Sequence, residues 1–373
     1  MQVVFVHGVN TRDLGDGEYE RWVSGRSDRL RRLAFGGKAD IRNPYWGKFG
    51  LATKSLLSLP SGRREVGPLS AGPKSLSAAD DRIVAVARHD FEAAIGSLSA
   101  AAIARVTLNG SEDARHAIED FWMAVAEYAE DEPAPVWLAE VSSTGQLVAR
   151  LRREVTLANA TFSLSSGAQT GGTKPLALPA FDGNAFAADR ARALMSGYLA
   201  QFVGDALMFF ARRDTSLEVR RAITEEIVGA ARVARSNSQP LVLIGYSMGG
   251  GILHELLTDP TEVAAMETQL GAALEIDLFL SVGTQIGLFA ELGQFAVPGD
   301  GKPLAVPINH YWNVYDYHDT LAFLCGPVLE GAEDFEVKTA AGVVNAHGAY
   351  FDSALFFRRL HLKLVEVGLV NSS

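Results

Sequence analysis

The chain has 373 residues, a formal net charge of −10 and 48% hydrophobic residues. That is enough apolar material for a large core and too few charges for a disordered chain, and the negative balance argues against a nucleic-acid partner. Cys325 is the only cysteine, which excludes an internal disulfide and fits a reducing, cytoplasmic compartment.

The charge is uneven. Between Arg21 and Lys74 there are 12 Lys/Arg against 3 acids, a local +9 that leaves −19 for the remainder. Such a segment reads either as a solvated basic surface or as a face for anionic lipid headgroups. The first residues lack the charged and apolar regions of a secretory signal. No run of 18 apolar residues is free of charge, and the nearest, 93–108, carries Arg105. The expectation is a soluble protein, in transient contact with an anionic membrane if the basic segment is a lipid face.

In chain order, residues 2–6 (QVVFV) read as a buried strand ending at His7-Gly8. Residues 39–46 are a weaker strand candidate. Residues 48–184 change character. Segments 54–74 and 165–183 are rich in Ser, Gly, Thr and Pro and read as loops. Between them 111–130 carries Ile118, Phe121, Trp122 and Val125 at helical spacing, with Ser111 as N-cap. This stretch reads as a mainly helical insertion, a cap or lid, in a core built from 1–47 and 185–373.

From 185 the rhythm is α/β. Helices are expected at 189–210 and 216–236, the second opened by Thr215 and Glu218 at capping-box spacing. Strands follow at 241–244, 278–282, 311–315 and 335–344. A helix is expected at 249–257 and a last one at 353–367, stopped by Gly368. The pattern implies a mostly parallel sheet with helices on both faces.

The strongest local signal is Gly245-Tyr246-Ser247-Met248-Gly249, preceded by Leu241-Val242-Leu243-Ile244 and followed by a helix. A serine at a sharp strand-to-helix turn is lifted above the sheet and set at a helix N-terminus, where developing negative charge is favoured. Small neighbours two residues away let the chain double back. No Gly-Lys-Ser/Thr phosphate loop and no Gly-x-Gly-x-x-Gly is present at these strands. Ser247 is therefore the candidate nucleophile of an acyl-transfer site. Its oxyanion donors would be the N–H of Met248 and that of Val9, placed after the first strand by the turn at Gly8. Asn10 is a candidate brace for that loop or a substrate contact, and His7 is expected to hydrogen-bond the loop rather than act as base.

In an α/β-hydrolase the order along the chain is Ser, then acid, then His. Of eight histidines, His347 is best placed, after the last expected strand and in a small-residue loop. His254 and His361 fall on helices and read as packing or surface residues, and His318 as a loop residue. Two acids, Asp316 and Asp319, follow the strand at 311–315, and spacing does not choose between them.

Four stretches resemble the DDHD-type phospholipases and related esterases of the α/β-hydrolase superfamily. They are Gly204-Asp205-Ala206-Leu207-Met208-Phe209-Phe210, the elbow around Ser247, Asn313 to Phe323, and Ala346-His347-Gly348-Ala349-Tyr350-Phe351. Tyr246 stands where the family elbow has His, and Thr320 where it has Pro. In this register the resemblance implies that Asp319 is the acid. It also implies an α/β-hydrolase-like fold and hydrolysis of a carboxylic ester of a lipid or phospholipid by a Ser247–Asp319–His347 triad. That chemistry needs no metal or organic cofactor. Thioesterase, peptidase and a silent binding module are the rival readings.

Overall fold

The computed structural model describes residues 1–9, 18–49, 77–109, 111–166, 209, 213–295, 304–339 and 342–371. Six parallel strands form one sheet: β1 (Gln2–Val6), β2 (Asp40–Arg42), β3 (Leu241–Tyr246), β4 (Ile276–Val282), β5 (Ile308–Tyr315) and β6 (Ala332–Glu336), in the spatial order β2-β1-β3-β4-β5-β6. The helices are α1 (Glu18–Arg29), α2 (Ser77–His89), α3 (Phe91–Asn109), α4 (Glu112–Asp131), α5 (Thr144–Ser166), α6 (Arg213–Ser236), α7 (Met248–Thr258), α8 (Pro260–Leu270), α9 (Ile286–Glu291), α10 (Gly342–Ala349) and α11 (Ala354–Glu366). No helix among the described residues is long and apolar enough to cross a membrane.

Both faces of the sheet are covered, so the strands carry apolar residues continuously rather than alternately. Val4, Val6, Leu243 and Phe279 pack against Ile223 and Ile227 of α6 and Ile252 and Leu256 of α7. Val3, Phe5, Ile244, Leu280 and Trp312 face the other way, onto Leu30 and Leu33 after α1 and Phe357 and Leu364 of α11. Each such side chain, fully buried, contributes about 1.5–3 kcal/mol of transfer free energy.

The order of the strands sets the site. From β1 the chain first adds β2 on one side, then returns to add β3 and its successors on the other. The order therefore reverses between β1 and β3, and in open parallel sheets the crevice beyond the carboxyl ends at such a reversal is where ligands bind. Val6 pairs with Gly245, so Gly8 and Ser247 emerge side by side at that crevice.

Several helix ends follow their local chemistry. Ser111 caps α4 by accepting from Ala114 N–H at 3.3 Å, as expected. Ser353 caps α11 by accepting from Phe356 N–H at 3.3 Å, and Gly368, at φ 73°, lies just past its end. α6 starts at Arg213, so Thr215 lies within the helix instead of capping it. The strand expected at 39–46 is only Asp40–Arg42, ending before Asn43-Pro44. The last strand, expected at 335–344, runs from Ala332 to Glu336, and residues 342–344 lie in α10. Of the helix expected at 189–210, only Phe209 lies within the described residues, as do Ser165 and Ser166 alone of the loop expected at 165–183. Asn10 and the loop expected at 54–74 lie outside them.

Helices α2 to α5 share a core of their own around Phe91, Ile95, Trp122, Val125, Leu147 and Leu151, which Ala354 and Leu355 of α11 complete. Ion pairs join this unit to the sheet domain. Arg358 meets Glu130 at 2.5 Å, Lys338 meets Asp90 at 2.5 Å, and Arg359 meets Glu92. The basic segment contributes to the same junction. Buried Glu119 lies against Arg29, Arg32 and Arg115, and Arg29 also meets Asp352 at 2.9 Å. Arg42 pairs with Glu226 at 3.2 Å, and Arg31 donates to Ala39 O at 3.0 Å. Arg26 is fully buried between Phe5, at 3.6 Å, and Trp22, at 4.0 Å. These five arginines of the segment are thus engaged within the protein, and Arg26 and Arg29 are buried. The acids that neutralise most of them come from positions 119, 226 and 352, which a count along the segment does not include.

Candidate active site

Ser247 links β3 to α7 at φ 53° and ψ −129°, a left-handed conformation costly for a residue with a Cβ. Strain of this kind, on the order of 1–3 kcal/mol, persists only where the surroundings over-determine it. Here Ser247 N–H donates to Val282 O at 2.9 Å, and Ser247 O accepts from Gly250 N–H at 3.0 Å. Close packing demands the flanking glycines. A Cβ on Gly249 would lie 2.2 Å from Val6 O, and one on Gly245 would lie 2.4 Å from Gly250 Cα.

The turn aims Ser247 at His347. Ser247 Oγ lies 2.9 Å from His347 Nε2, and His347 Nδ1 lies 2.8 Å from Asp319 Oδ2. Nδ1–H donates to the carboxylate, so Nε2 is left to accept the serine proton. All three residues are buried, Ser247 and Asp319 almost completely. His347 occupies the short helix α10 rather than the loop the sequence suggested. Tyr246 holds that helix in place: its hydroxyl donates to His347 O at 2.6 Å, and its ring stacks on the imidazole at 5.3 Å.

The two acids that spacing left open do different things. Asp319 Oδ1 accepts from Leu321 N–H at 2.9 Å, and Oδ2 faces His347. Asp316 is turned to the loop after β6. Its Oδ2 accepts from Thr339 N–H at 2.8 Å and from the Thr339 hydroxyl, and its Oδ1 accepts from His318 N–H at 2.8 Å. His318 is exposed and lies in the loop, as expected.

The side where the oxyanion donors were expected is equally crowded. Met248 is the first residue of α7, where the N–H groups have no intrahelical acceptor and point at the helix entrance. Val9 follows Gly8, whose α-carbon sits against Ser247. His7 braces the loop: Nδ1–H donates to Gly8 O at 2.8 Å, and the ring stacks on Trp46 at 5.1 Å. Trp46 Nε1–H in turn donates to His7 O at 2.8 Å.

The remaining histidines of interest lie away from this group. His361 Nδ1–H donates to Ala34 O at 3.0 Å. His254 is buried against Phe295 and Tyr311, and burial pushes it down to about 3. One cluster has metal-ligand types: Asp28, His116 and Glu119 bring ligand atoms within 4.8 Å of one another. Arg115 lies 3.2 Å from Asp28 and 3.8 Å from Glu119, with Arg29 and Arg32 also on Glu119, so the cluster is an ion-pair network already rich in positive charge.

Sequence reasoning noted Tyr246 only as a departure from the family elbow and Tyr350 only within a resembling stretch, and gave no role to either or to Gly283. The signal was present for one of them: Tyr350 stands three residues after His347, one helical turn away. The chain matches no protein-family model, no curated protein and no solved structure in the comparisons made.

Proposed function

We propose that this chain is a serine hydrolase of the α/β-hydrolase type that cleaves a carboxylic ester, with a lipid or phospholipid ester as the substrate class. One observation carries the reading: Ser247 Oγ, His347 and Asp319 form an unbroken chain of contacts of 2.9 and 2.8 Å behind a strained serine at a helix N-terminus. In this mechanism His347 Nε2 takes the Ser247 proton as Oγ attacks the ester carbonyl. The N–H groups of Met248 and Val9 hold the oxyanion, and the alcohol leaves with the proton from His347. Water, activated by the same nitrogen, then hydrolyses the acyl-enzyme.

The lipid part of the proposal rests on the resemblance of the four stretches. Attraction to an anionic membrane would have to rest on residues other than Arg26, Arg29, Arg32 and Arg42, which are engaged inside the protein. Helices α2 to α5, with their own core and ion pairs to the sheet domain, are read as a fixed cap. The test is covalent labelling with a fluorophosphonate, followed by a panel of esters, thioesters and peptides, with and without liposomes. Labelling confined to Ser247, lost in Ser247→Ala, and turnover of esters are expected. A folded protein that takes no label would overturn the reading, and preference for a thioester or peptide would replace the substrate class.

A further inference from the structure

Asp319 is a buried carboxylate with no Lys or Arg paired to it among the described residues. Hydrogen bonds must therefore hold its charge. Oδ1 accepts from Leu321 N–H at 2.9 Å, and Oδ2 accepts both from His347 Nδ1–H at 2.8 Å and from the Tyr350 hydroxyl at 2.8 Å. Tyr350 is fully buried, and its oxygen also receives Asp316 N–H at 2.9 Å. That contact fixes a direction. A backbone N–H can only donate, so the phenol oxygen accepts there and its single proton is committed to Asp319. Burial, and then the Asp319 charge, push the phenol well above its ordinary range, so it stays a donor.

The surrounding chain makes room for this phenol. Gly283 has φ +58°, and a Cβ there would lie 2.8 Å from Tyr350 Cε2 and 3.1 Å from Asp319 Oδ2. The titratable groups facing this point are Asp316 and Asp319 from the loop after β5, His347 from α10 and Tyr246 from β3.

From this geometry we infer that Tyr350 is a positioning residue of the triad, whose hydroxyl fixes the Asp319 carboxylate against rotation while the His347 imidazolium forms. The inference rests on the serine-hydrolase reading. In a water-excluded site a carboxylate with one donor fewer has a stronger hold on the imidazole proton, and donors to the charged form oppose that. A tyrosine present only for packing would need no hydroxyl.

Tyr350→Phe removes the donor and keeps the ring. The expected result is a fall in kcat of about ten- to a hundredfold with KM unchanged. The acidic limb of the kcat/KM profile should move to higher pH, because the imidazolium then faces a carboxylate less neutralised by other donors. The low-field proton resonance of His347 Nδ1–H should move with it. Placing 3-fluorotyrosine at Tyr350 strengthens the donor without changing the fold and should move the limb the opposite way. A folded Tyr350→Phe protein with wild-type kcat, pH profile and resonance, altered only in Tm, would overturn the inference. If that variant does not fold, an unmoved limb in the fluorotyrosine protein would overturn it. The resonance needs no turnover, so its response is readable even in a protein that fails fluorophosphonate labelling, and the two failures stay distinct.

Discussion

Gly8 and Ser247 touch: a Cβ built on Gly8 would stand 2.8 Å from Ser247 Cβ and 3.2 Å from its Oγ. The residue that turns the chain after β1 is thus also the wall behind the proposed nucleophile. Gly8→Ala should displace Ser247 and Val9 together and lower kcat by about a hundredfold, since a misplacement near 1 Å can cost that much. Gly37, at φ +79° with open space around it, is the control. Gly37→Ala should cost about 1 kcal/mol in backbone strain and leave turnover alone. Steady-state kinetics and urea unfolding on both variants separate the two effects. Equal kinetics in Gly8→Ala would mean that the loop relaxes without moving the serine.

Ser247, His347 and Asp319 should behave as one unit. Ser247→Ala or His347→Ala should each lower kcat by roughly 10⁴ to 10⁶, and the double variant should be little worse than either single one. Additive losses in single-turnover measurements would contradict a shared mechanism.

The acids should separate cleanly. Asp319→Asn should cost on the order of 10³–10⁴ in kcat by favouring the wrong imidazole tautomer. Asp316→Asn should instead weaken the bonds to Thr339 and His318 and cost about 1–3 kcal/mol of stability, with much smaller kinetic loss. Parallel kinetics and thermal denaturation give the ranking, and the reverse ranking would make Asp316 the acid.

His254 should make the fold acid-sensitive. Its folded-state value, lowered to about 3 by burial, lies below the ordinary value near 6.5, so the unfolded chain binds the proton first. Its neutral form is fully accommodated above about pH 6.5, and stability is lost as pH falls from there toward about 3, at about 1.4 kcal/mol per pH unit. Urea unfolding at pH 6.5 and pH 5 should show a loss that shrinks in His254→Met. An identical slope in the variant would show that other groups carry the acid response.

Two buried charges should respond in opposite ways. Glu119 has arginines on several sides, and Glu119→Gln should cost about 1–3 kcal/mol, since Arg29 keeps Asp352 and Arg115 keeps Asp28. Arg26 lies against the rings of Phe5 and Trp22 and, among the described residues, makes one side-chain hydrogen bond, 2.5 Å to Asn43, with no partner for its Nε or Nη1. Removing a buried cation with so little compensation is close to neutral or stabilising, so Arg26→Met should hold or raise Tm at pH 7. A drop of several degrees would show that the ring contacts outweigh the burial of charge.

The strained serine turn was legible because its signal is local: four aliphatic residues, a Gly-x-Ser-x-Gly turn and a helix all lie within one short stretch. His347 was legible as a residue but not as an element: the strand expected through 344 ends at Glu336, and His347 lies in a helix rather than a loop. Asp316 and Asp319 were not separable by position. What distinguishes them is a bond from Asp316 to Thr339 and one from Asp319 to His347, contacts made only when the ends of β5 and β6 meet. The ion pairs of the basic segment were not legible for the same reason. Glu119, Glu226 and Asp352 neutralise arginines that lie far from them in sequence.

The place of β1 in the sheet sets a condition on synthesis. Val3, Val4, Phe5 and Val6 have no exposed surface, and the register that buries one flank pairs them with residues 242–245. At roughly 5–20 residues per second, a ribosome takes on the order of 10–50 s to supply those partners after β1 is made. For that interval the nascent chain carries an apolar strand whose permanent neighbour does not yet exist. The segment that later leads into the turn at Gly8, against Ser247, is thus, for a time, the one most in need of a chaperone's cover.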